Sequence, residues 1–215
     1  MRIERFDPAK MAQRAVTLII GGRSSGKSVL CADLLRRRRS GDERGALVCE
    51  TLEVKESECR RMFAPDRVHS NYSPRILRDV VAEQKRLIRE ASGGAVGACH
   101  VVLDDVLFSD EDIRETLKNG RRLRIDLMVT MTPRFAPPAC LRANADYVFV
   151  LREVHVDNRR RLYERYAGIL PTFEAFQSVL DQTTRDYGCL VIDNTVHCTK
   201  PEDGLFFYRA DCHIP

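Results

Sequence analysis

The amino-acid sequence predicts an α/β fold with a mostly parallel central sheet, helices on both faces and a C-terminal β pair. Two observations predict this arrangement. Short apolar strand-like segments alternate with helical segments, and a polar loop joins the last two strand-like segments. The chain has 215 residues and no clear internal boundary. We therefore expect residues 1–215 to form a single domain with its core at about residues 15–210.

The predicted strands are short and mostly apolar, as expected for strands buried on both faces. They lie at residues 15–20, 46–50, 68–72, 99–103, 127–131 and 147–151. Residues 189–193 and 205–208 are predicted to pair with each other and close the sheet.

The segments between the strands carry the start and stop signals of helices. Ser73-Pro74 predicts a helix start, because proline is favoured in a first turn, and Asn119-Gly120 predicts a helix end. Helices are predicted at residues 29–35, 57–63, 74–91, 110–119, 156–167 and 172–183, with a glycine-rich break at residues 92–97.

The first strand leads into a glycine-rich loop that matches the phosphate-binding pattern G-x-x-x-x-G-K-[ST] in full. The loop consists of Gly21, Gly22, Arg23, Ser24, Ser25, Gly26, Lys27 and Ser28. Strand, glycine turn and helix is the context in which this pattern cradles a polyphosphate on backbone N–H groups. Lys27 would reach the β- and γ-phosphates, and the Ser28 hydroxyl would hold Mg²⁺. The loop therefore predicts a nucleotide-binding protein rather than a turn that binds nothing.

An acidic pair follows the apolar strand at residues 99–103. Because ligands of open α/β sheets bind outside the carboxyl ends of the strands, Asp104 is expected beside the phosphate loop. Its predicted role is Mg²⁺ coordination together with Ser28, and Asp105 would orient the attacking water as general base. The alternative is a structural Asp-Asp turn after a core strand.

Two further segments between strands offer polar side chains to such a site. Arg121, in Asn119-Gly120-Arg121-Arg122, could stabilise the transferring phosphoryl group in a neighbouring subunit, although a surface charge is the ordinary explanation of one arginine. Thr132 follows the strand at residues 127–131 and is expected near the γ-phosphate, where a polar residue can sense hydrolysis.

Composition and charge narrow the setting. The eight cysteines form no C-x-x-C pair, no signal peptide precedes them, and no apolar run reaches the length of a membrane helix. We therefore expect a protein of a reducing, intracellular compartment without a membrane span. His197-Cys198 and Cys212-His213 fit no familiar zinc spacing.

The net charge is only +4, but arginines cluster locally. The clusters are Arg36 to Arg39, Arg121 with Arg122 and Arg124, and Arg159 to Arg161. Contact with DNA or RNA and a solvated helix face explain the run at Arg36 to Arg39 about equally well.

Several segments together resemble the packaging ATPases of nucleocytoplasmic large DNA viruses, the poxvirus A32-like branch of the FtsK–HerA superfamily of P-loop NTPases. The phosphate loop alone is unspecific, and the other segments carry the resemblance. They are Leu103-Asp104-Asp105, Asn119-Gly120-Arg121, Leu141-Arg142-Ala143-Asn144-Ala145-Asp146-Tyr147, Tyr163-Glu164-Arg165-Tyr166-Ala167-Gly168 and Tyr187-Gly188-Cys189-Leu190-Val191-Ile192-Asp193.

The resemblance implies a RecA-like ATPase core that assembles as a homo-oligomeric ring and pumps double-stranded DNA into a capsid. It implies ATP and Mg²⁺ at Lys27, Ser28 and Asp104, with Asp105 as the catalytic carboxylate. It makes Arg121 the leading candidate for an arginine finger and Arg142 the second. It also implies a capsid portal or vertex protein as partner, and a location at the viral assembly site in the host cytoplasm or with the virion.

The sequence departs from the family pattern at two places. Thr132-Pro133 stands where the family usually has a glutamine and an aromatic residue, and Arg122 stands where it usually has histidine. Neither change touches phosphate or metal binding, but the first affects the residue that would couple hydrolysis to movement. Thr132 therefore leaves a nucleotide-gated module without turnover as one alternative function, and a small-molecule or nucleotide kinase is the other.

Overall fold

One mixed sheet runs through the computed structural model, which describes residues 3–38, 44–49, 58–91, 96–196 and 200–211. Within these residues the sheet has nine strands, which are Glu4–Arg5 (β1), Val16–Ile20 (β2), Arg44–Cys49 (β3), Val68–His69 (β4), Cys99–Asp104 (β5), Ile125–Met131 (β6), Tyr147–Val150 (β7), Gly188–Asp193 (β8) and Leu205–Arg209 (β9). They hydrogen-bond in the order β1-β9-β8-β7-β2-β6-β5-β3-β4.

Strand β8 pairs antiparallel with both of its neighbours, and the other described pairs are parallel. The mostly parallel sheet and the closing pair of β8 and β9 are therefore confirmed.

Helices connect the strands across both faces of the sheet. They are Lys27–Arg38 (α1), Glu58–Arg61 (α2), Pro74–Glu90 (α3), Asp110–Asn119 (α4), Ala139–Ala143 (α5), Val156–Tyr166 (α6), Phe173–Thr183 (α7) and Pro201–Gly204 (α8).

Each face of the sheet has its own hydrophobic core. On one face, α1 places Leu30, Leu34 and Leu35 in a cluster with Phe149 and Tyr208 from the strands. On the other face, Leu77 of α3, Ile113 of α4, Leu162 of α6 and Phe176 of α7 pack on the apolar side chains of the central strands. Burial on both sides explains why β2, β5 and β6 lack a polar face.

The strand order places the phosphate loop, the acidic pair and Thr132 at one edge of the sheet. Strand β2 lies between β6 and β7, and β5 lies on the far side of β6. In this register Ile20 is opposite Met131, and Asp104 is opposite Thr130. The carboxyl ends of β2, β5, β6 and β7 therefore meet, as a ligand site in a parallel α/β sheet requires.

The helices with clear caps lie where the sequence predicts them. Ser73 accepts a hydrogen bond from the Arg75 N–H at the start of α3. Ser109 and Asp112 form a capping box at the start of α4, which spans the predicted residues 110–119.

Helix α4 ends at Asn119, as Asn119-Gly120 predicts, but without a left-handed glycine. Gly120 keeps a right-handed helical conformation with φ −53°. A side chain is excluded there for another reason, because a Cβ on Gly120 would lie 2.6 Å from the Thr116 carbonyl oxygen. The backbone becomes left-handed only further along, at Arg124, which has φ 57° and lies one residue before β6.

Three short elements differ from the prediction. Strand β1 pairs with β9 although its two residues lie before the predicted core, and α5 lies between the strands predicted at residues 127–131 and 147–151, where no helix is predicted. The strand predicted at residues 68–72 is reduced to Val68–His69. No helix in the described residues is long and apolar enough to cross a membrane. Arg39, His197-Cys198 and Cys212-His213 lie outside the described residues.

Candidate active site at the carboxyl edge of the sheet

The phosphate loop joins β2 to α1 and is fixed at its start between two strands. The Gly21 N–H donates to the Met131 carbonyl, and the Leu151 N–H donates to the Ile20 carbonyl. A Cβ on Gly21 would lie 2.4 Å from Ser25 Oγ, and Gly26 has φ 100°, so both positions require glycine. The loop therefore takes its shape from glycines at its beginning and end.

Lys27 points back into the loop that precedes it. Its side chain is only 7% exposed, and Nζ donates to the carbonyls of Gly21 at 3.0 Å and Gly22 at 3.2 Å. Nζ also lies 3.2 Å from Asp105 Oδ2. The structure thus brings together the predicted phosphate-binding lysine and the predicted catalytic carboxylate.

Asp104 is the last residue of β5 and is 8% exposed. Its carboxylate accepts hydrogen bonds from the Thr130 hydroxyl and, at 3.3 Å, from the Cys49 thiol. The next residue, Asp105, turns out of the strand with φ 52°, a conformation that costs free energy for a non-glycine residue. Two successive carboxylates are therefore aimed differently, one buried and one toward Lys27.

Thr130 is a residue of this candidate site that sequence reasoning missed. It is fully buried in β6, donates to Asp104 and accepts from the Asp105 N–H at 3.1 Å through its hydroxyl. The signal for it was a polar residue in an apolar strand, directly before the end where the ligand site was expected. Thr130 holds both aspartates in place.

The residues predicted to hold Mg²⁺ have suitable chemistry. Asp104 offers a carboxylate that is fixed by hydrogen bonds, and Ser28 offers a hydroxyl on the exposed first turn of α1. Hard oxygen ligands of this kind suit Mg²⁺. Ser25 Oγ is buried in the same loop without a hydrogen-bond partner in the described part of the chain. Such an unsatisfied hydroxyl fits a loop that binds a polar group.

Buried cysteine thiols lie beside the Asp104 carboxylate. Cys31 of α1 is fully buried, and its pKa is raised by a hydrogen bond with Cys59 and by burial, with Asp104 and Cys49 adding to the rise. The Cys59 thiol also contacts the Ser28 carbonyl at 3.7 Å. Cys31 is therefore neutral at physiological pH and behaves as a small apolar residue beside Asp104.

A cleft of about 760 Å³ opens next to the phosphate loop. Its walls come from the loop and from the segments that follow β6, follow β7 and precede β8: Gly22, Arg23, Ser24, Ser25, Thr132, Pro133, Arg134, Arg152, Glu153, Val154, His155, Asn158, Thr184, Asp186, Tyr187 and Gly188. Thr132 is half-buried in this wall. The volume is in the range of small-molecule sites.

Arg121 and Arg142 lie at the opposite edge of the sheet. Arg121 precedes β6, its side chain is 72% exposed, and it pairs with Asp146 at the start of β7. Both arginines line one cavity of about 460 Å³, together with Arg14 and Lys118. Since β6 has seven residues, this edge is about 20 Å from the phosphate loop. The structure brings the two arginines together, but not to the site of their own chain.

The arginines that end α1 are engaged within the chain. Arg36 and Arg37 pair with the buried Asp33, and Arg38 forms a buried pair with Asp126. The run that begins at Arg36 is therefore, in its described part, an anchor of α1 rather than a free basic surface.

No protein-family model matches the chain. It is 31% identical over 185 residues to uncharacterized protein 075L of Invertebrate iridescent virus 6, an alignment that covers 83% of this chain and 70% of that protein. It is 30% identical over 200 residues to uncharacterized protein 088R of Invertebrate iridescent virus 3, and that alignment covers 89% of this chain and 74% of that protein.

The fold is similar to that of the genome packaging NTPase B204 from Sulfolobus turreted icosahedral virus 2. The TM-score is 0.62 at 14% identity, and 94% of this chain and 98% of that chain are covered. The chain belongs to the family of large DNA virus proteins that includes 075L and 088R, and it has the fold of the P-loop NTPase B204.

Proposed function

We propose that this protein hydrolyses ATP and uses the energy to move double-stranded DNA into a viral capsid. The observation that carries the proposal is the 3.2 Å ion pair between Lys27 of the phosphate loop and Asp105 after β5. A nucleotide-binding lysine and a carboxylate able to orient water thus share one site. The similar protein B204 is a genome packaging NTPase that has been solved in complex with ATP-gammaS and with AMP.

The contacts of Lys27 suggest how substrate prepares the site. In the described structure its ammonium group is satisfied by two loop carbonyls and by Asp105. The β- and γ-phosphates of ATP would replace Asp105 as the anionic partner of Lys27. That exchange would free the Asp105 carboxylate to accept a proton from the attacking water.

Asp104 and Ser28 would hold the magnesium ion that accompanies ATP. The ion neutralises charge on the β- and γ-phosphate oxygens when it is bound. Thr130 keeps the Asp104 carboxylate oriented through its hydroxyl hydrogen bond. Thr132, in the wall of the cleft, is the candidate that links loss of the γ-phosphate to movement of the loop after β6.

The position of the two arginine candidates supports a ring. Arg121 and Arg142 are too far from the phosphate loop of their own chain to contact its ligand, so they can act only on a neighbour. A contact between the two opposite edges of successive subunits is head-to-tail, and such contacts form a ring when the rotation between subunits closes and a filament when it does not. In the ring, Arg121 would leave Asp146 and stabilise the phosphoryl group in the next subunit, with Arg142 as the second candidate.

The remaining partners follow from the packaging role. Arginines on the DNA-facing side would contact backbone phosphates, so binding would be independent of sequence and weakened by salt. Because Arg36, Arg37 and Arg38 are engaged within the chain, we place the DNA contacts elsewhere. We also propose a capsid portal or vertex protein as partner, and action at the viral assembly site in the host cytoplasm or with the virion.

The test is ATP turnover with and without linear double-stranded DNA, across protein concentrations and at two salt concentrations. We expect turnover that DNA stimulates, that rises with assembly and that salt reduces. Lys27→Ala should lose tight ATP binding, with Lys85→Ala as the control on an exposed lysine. Turnover indifferent to DNA and to protein concentration would contradict the proposal and favour a kinase, and ATP binding without turnover would favour a nucleotide-gated module.

A further inference from the structure

The wall of the cleft that faces the phosphate loop ends in an exposed aromatic side chain. Tyr187 immediately precedes β8 and is 73% exposed. Its ring also lies next to the loop, because Tyr187 Cδ1 would be 3.6 Å from a Cβ built on Gly26. Tyr187 is therefore close to the phosphate-binding backbone without being part of a core.

The backbone that presents Tyr187 is strained. Asp186 has φ 48° and Tyr187 has φ 59°, so two consecutive non-glycine residues are left-handed. This conformation is unfavourable for residues with a Cβ, and for a bulky aromatic residue in particular. Strain of this kind persists only where the surrounding structure enforces it, and it is concentrated at ligand sites.

Several contacts enforce the turn. The Asp186 carboxylate pairs with Arg209 of β9 at 3.2 Å, and Arg209 also donates to the Arg185 carbonyl. The residue after Tyr187 must be glycine, because a Cβ on Gly188 would lie 2.4 Å from the Thr183 carbonyl oxygen. The end of α7 and the start of β8 therefore hold the tyrosine in place at the cleft.

The segment next to Tyr187 in the cleft wall offers further apolar surface. Val154 follows β7, is 63% exposed and lines the same cleft as Tyr187. Since β7 and β8 are neighbours, with Val150 opposite Leu190, the two side chains come from adjacent segments at one edge of the sheet. An aromatic ring and an aliphatic side chain beside a phosphate loop suit the flat apolar face of a base.

We propose that the Tyr187 ring stacks on the purine base of the nucleotide whose phosphates lie on residues 21–28. The inference rests on the proposed nucleotide binding and adds the position of the base. Stacking on an aromatic ring depends on the area of the base and tolerates changes in its substituents. Tyr187 would thus give affinity for purine nucleotides and little discrimination between adenine and guanine.

The chain contains no tryptophan, so a tryptophan at this position is a specific reporter. In Tyr187→Trp, we expect ATP to quench the emission, because the base stacks on the indole. Inorganic tripolyphosphate should bind the phosphate loop and leave the emission unchanged. The matched control is Val196→Trp, an exposed position in the loop after β8 at the opposite edge of the sheet, whose emission neither ligand should change.

Binding constants give the second readout. Tyr187→Ala should weaken ATP and GTP binding about ten-fold, as expected for the loss of one aromatic stack, and leave tripolyphosphate binding unchanged. Tyr187→Phe should retain the wild-type affinity for both nucleotides. Tyr187→Gly should lose the same affinity while raising the thermal midpoint, because glycine relieves the left-handed strain.

Equal ATP affinity in the wild type and in Tyr187→Ala would overturn the inference. Quenching of Tyr187→Trp by tripolyphosphate as strongly as by ATP would overturn it too, since the phosphates alone would then account for the signal. A wild-type protein that binds neither ATP nor tripolyphosphate would instead overturn the proposed function, and the base site with it.

Discussion

At the scale of single residues, the site depends on how two adjacent carboxylates are held apart. Asp104 ends β5 in the regular strand conformation, whereas Asp105 is left-handed and reaches Lys27. The Thr130 hydroxyl contacts the Asp104 carboxylate and the Asp105 N–H. Replacing Asp105 should therefore reduce turnover much more than ATP binding, and replacing Thr130 should change the Mg²⁺ concentration that turnover requires.

Asp105→Asn should leave ATP binding nearly intact and reduce turnover about 100-fold or more, because an amide cannot accept the proton of the attacking water. Binding is measured by calorimetry and turnover by phosphate release. The control is Glu111→Gln, on the exposed side of α4. Hydrolysis by Asp105→Asn at the wild-type rate would remove Asp105 from its proposed role.

Thr130→Val keeps the shape of the side chain and removes its hydroxyl. The buried Asp104 carboxylate then loses a hydrogen bond, so we expect a loss of about 1–3 kcal/mol in the free energy of unfolding. We also expect turnover to need more Mg²⁺ for half-maximal rate. Thr130→Ser keeps the hydroxyl, so it should retain the wild-type free energy of unfolding and the wild-type Mg²⁺ requirement. An unchanged Mg²⁺ dependence in Thr130→Val would show that Thr130 does not orient Asp104.

The phosphate loop and the acidic pair could be predicted because each is contiguous in sequence and follows a recognisable strand. The distant partners of Arg37 and Arg38 could not, because Asp211 and Asp126 are far away in sequence and only the fold brings them near. The same holds for Thr130, whose role depends on the register between β5 and β6.

At the scale of elements, α1 is fixed to the sheet by a buried polar network. Asp33 of α1 pairs with Arg37 and accepts a hydrogen bond from the Tyr208 hydroxyl of β9. Tyr208 is almost completely buried among apolar residues of the same face. The helix that begins in the phosphate loop is thus linked to a strand near the end of the chain.

Tyr208→Phe should lower the free energy of unfolding by about 1–3 kcal/mol, because the buried Asp33 carboxylate loses a donor. Burial raises the pKa of Tyr208, and the hydrogen bond to Asp33 raises it further. The unfolded tyrosine ionises near pH 10, so its contribution is present below about pH 10 and is lost as the pH rises beyond that value.

Denaturant unfolding of the wild type and of Tyr208→Phe between pH 7 and pH 11 measures both effects. The stability difference between the two proteins should shrink above about pH 10. Tyr163→Phe is a control at a half-buried tyrosine whose hydroxyl donates to a backbone carbonyl on the other face of the sheet. A difference that stays constant with pH would contradict the assigned pKa shift.

Elements with caps and apolar periodicity were predictable, and short pairings were not. The starts of α3 and α4 are encoded by Ser73-Pro74 and Ser109 with Asp112, which act locally. Strand β1 has only two residues, both exposed, and exists because β9 provides a parallel partner across about 200 residues of chain. The residues around β1 contain no sequence pattern that indicates this distant partner.

At the scale of the whole molecule, the two halves of the proposed catalytic machinery lie at opposite edges of one sheet. The phosphate loop and the aspartates are at the carboxyl edge, and Arg121 and Arg142 share a cavity at the other. The sequence could nominate these arginines, but their distance from the site follows only from the strand order. The role that we propose for Arg121 therefore requires a neighbouring subunit, so the proposal makes assembly a condition for activity.

Mixing two inactive variants tests this condition. Arg121→Ala retains its own site, and Asp105→Asn retains its arginine, so a mixed ring contains interfaces with both intact. Random mixing in equal amounts should restore about a quarter of the wild-type turnover, because about one interface in four has the productive order. If each variant is folded and assembled but the mixture recovers no turnover, Arg121 does not act on the site of a neighbouring subunit.

The most direct test of the central claim is movement along DNA, measured as displacement of a third strand from a DNA triplex placed at a chosen distance from the end. The account predicts ATP-dependent displacement with a delay that grows with that distance, and none with Lys27→Ala. Wild-type protein that hydrolyses ATP and binds the DNA, but leaves the third strand in place, would contradict the claim that this protein is a DNA translocase.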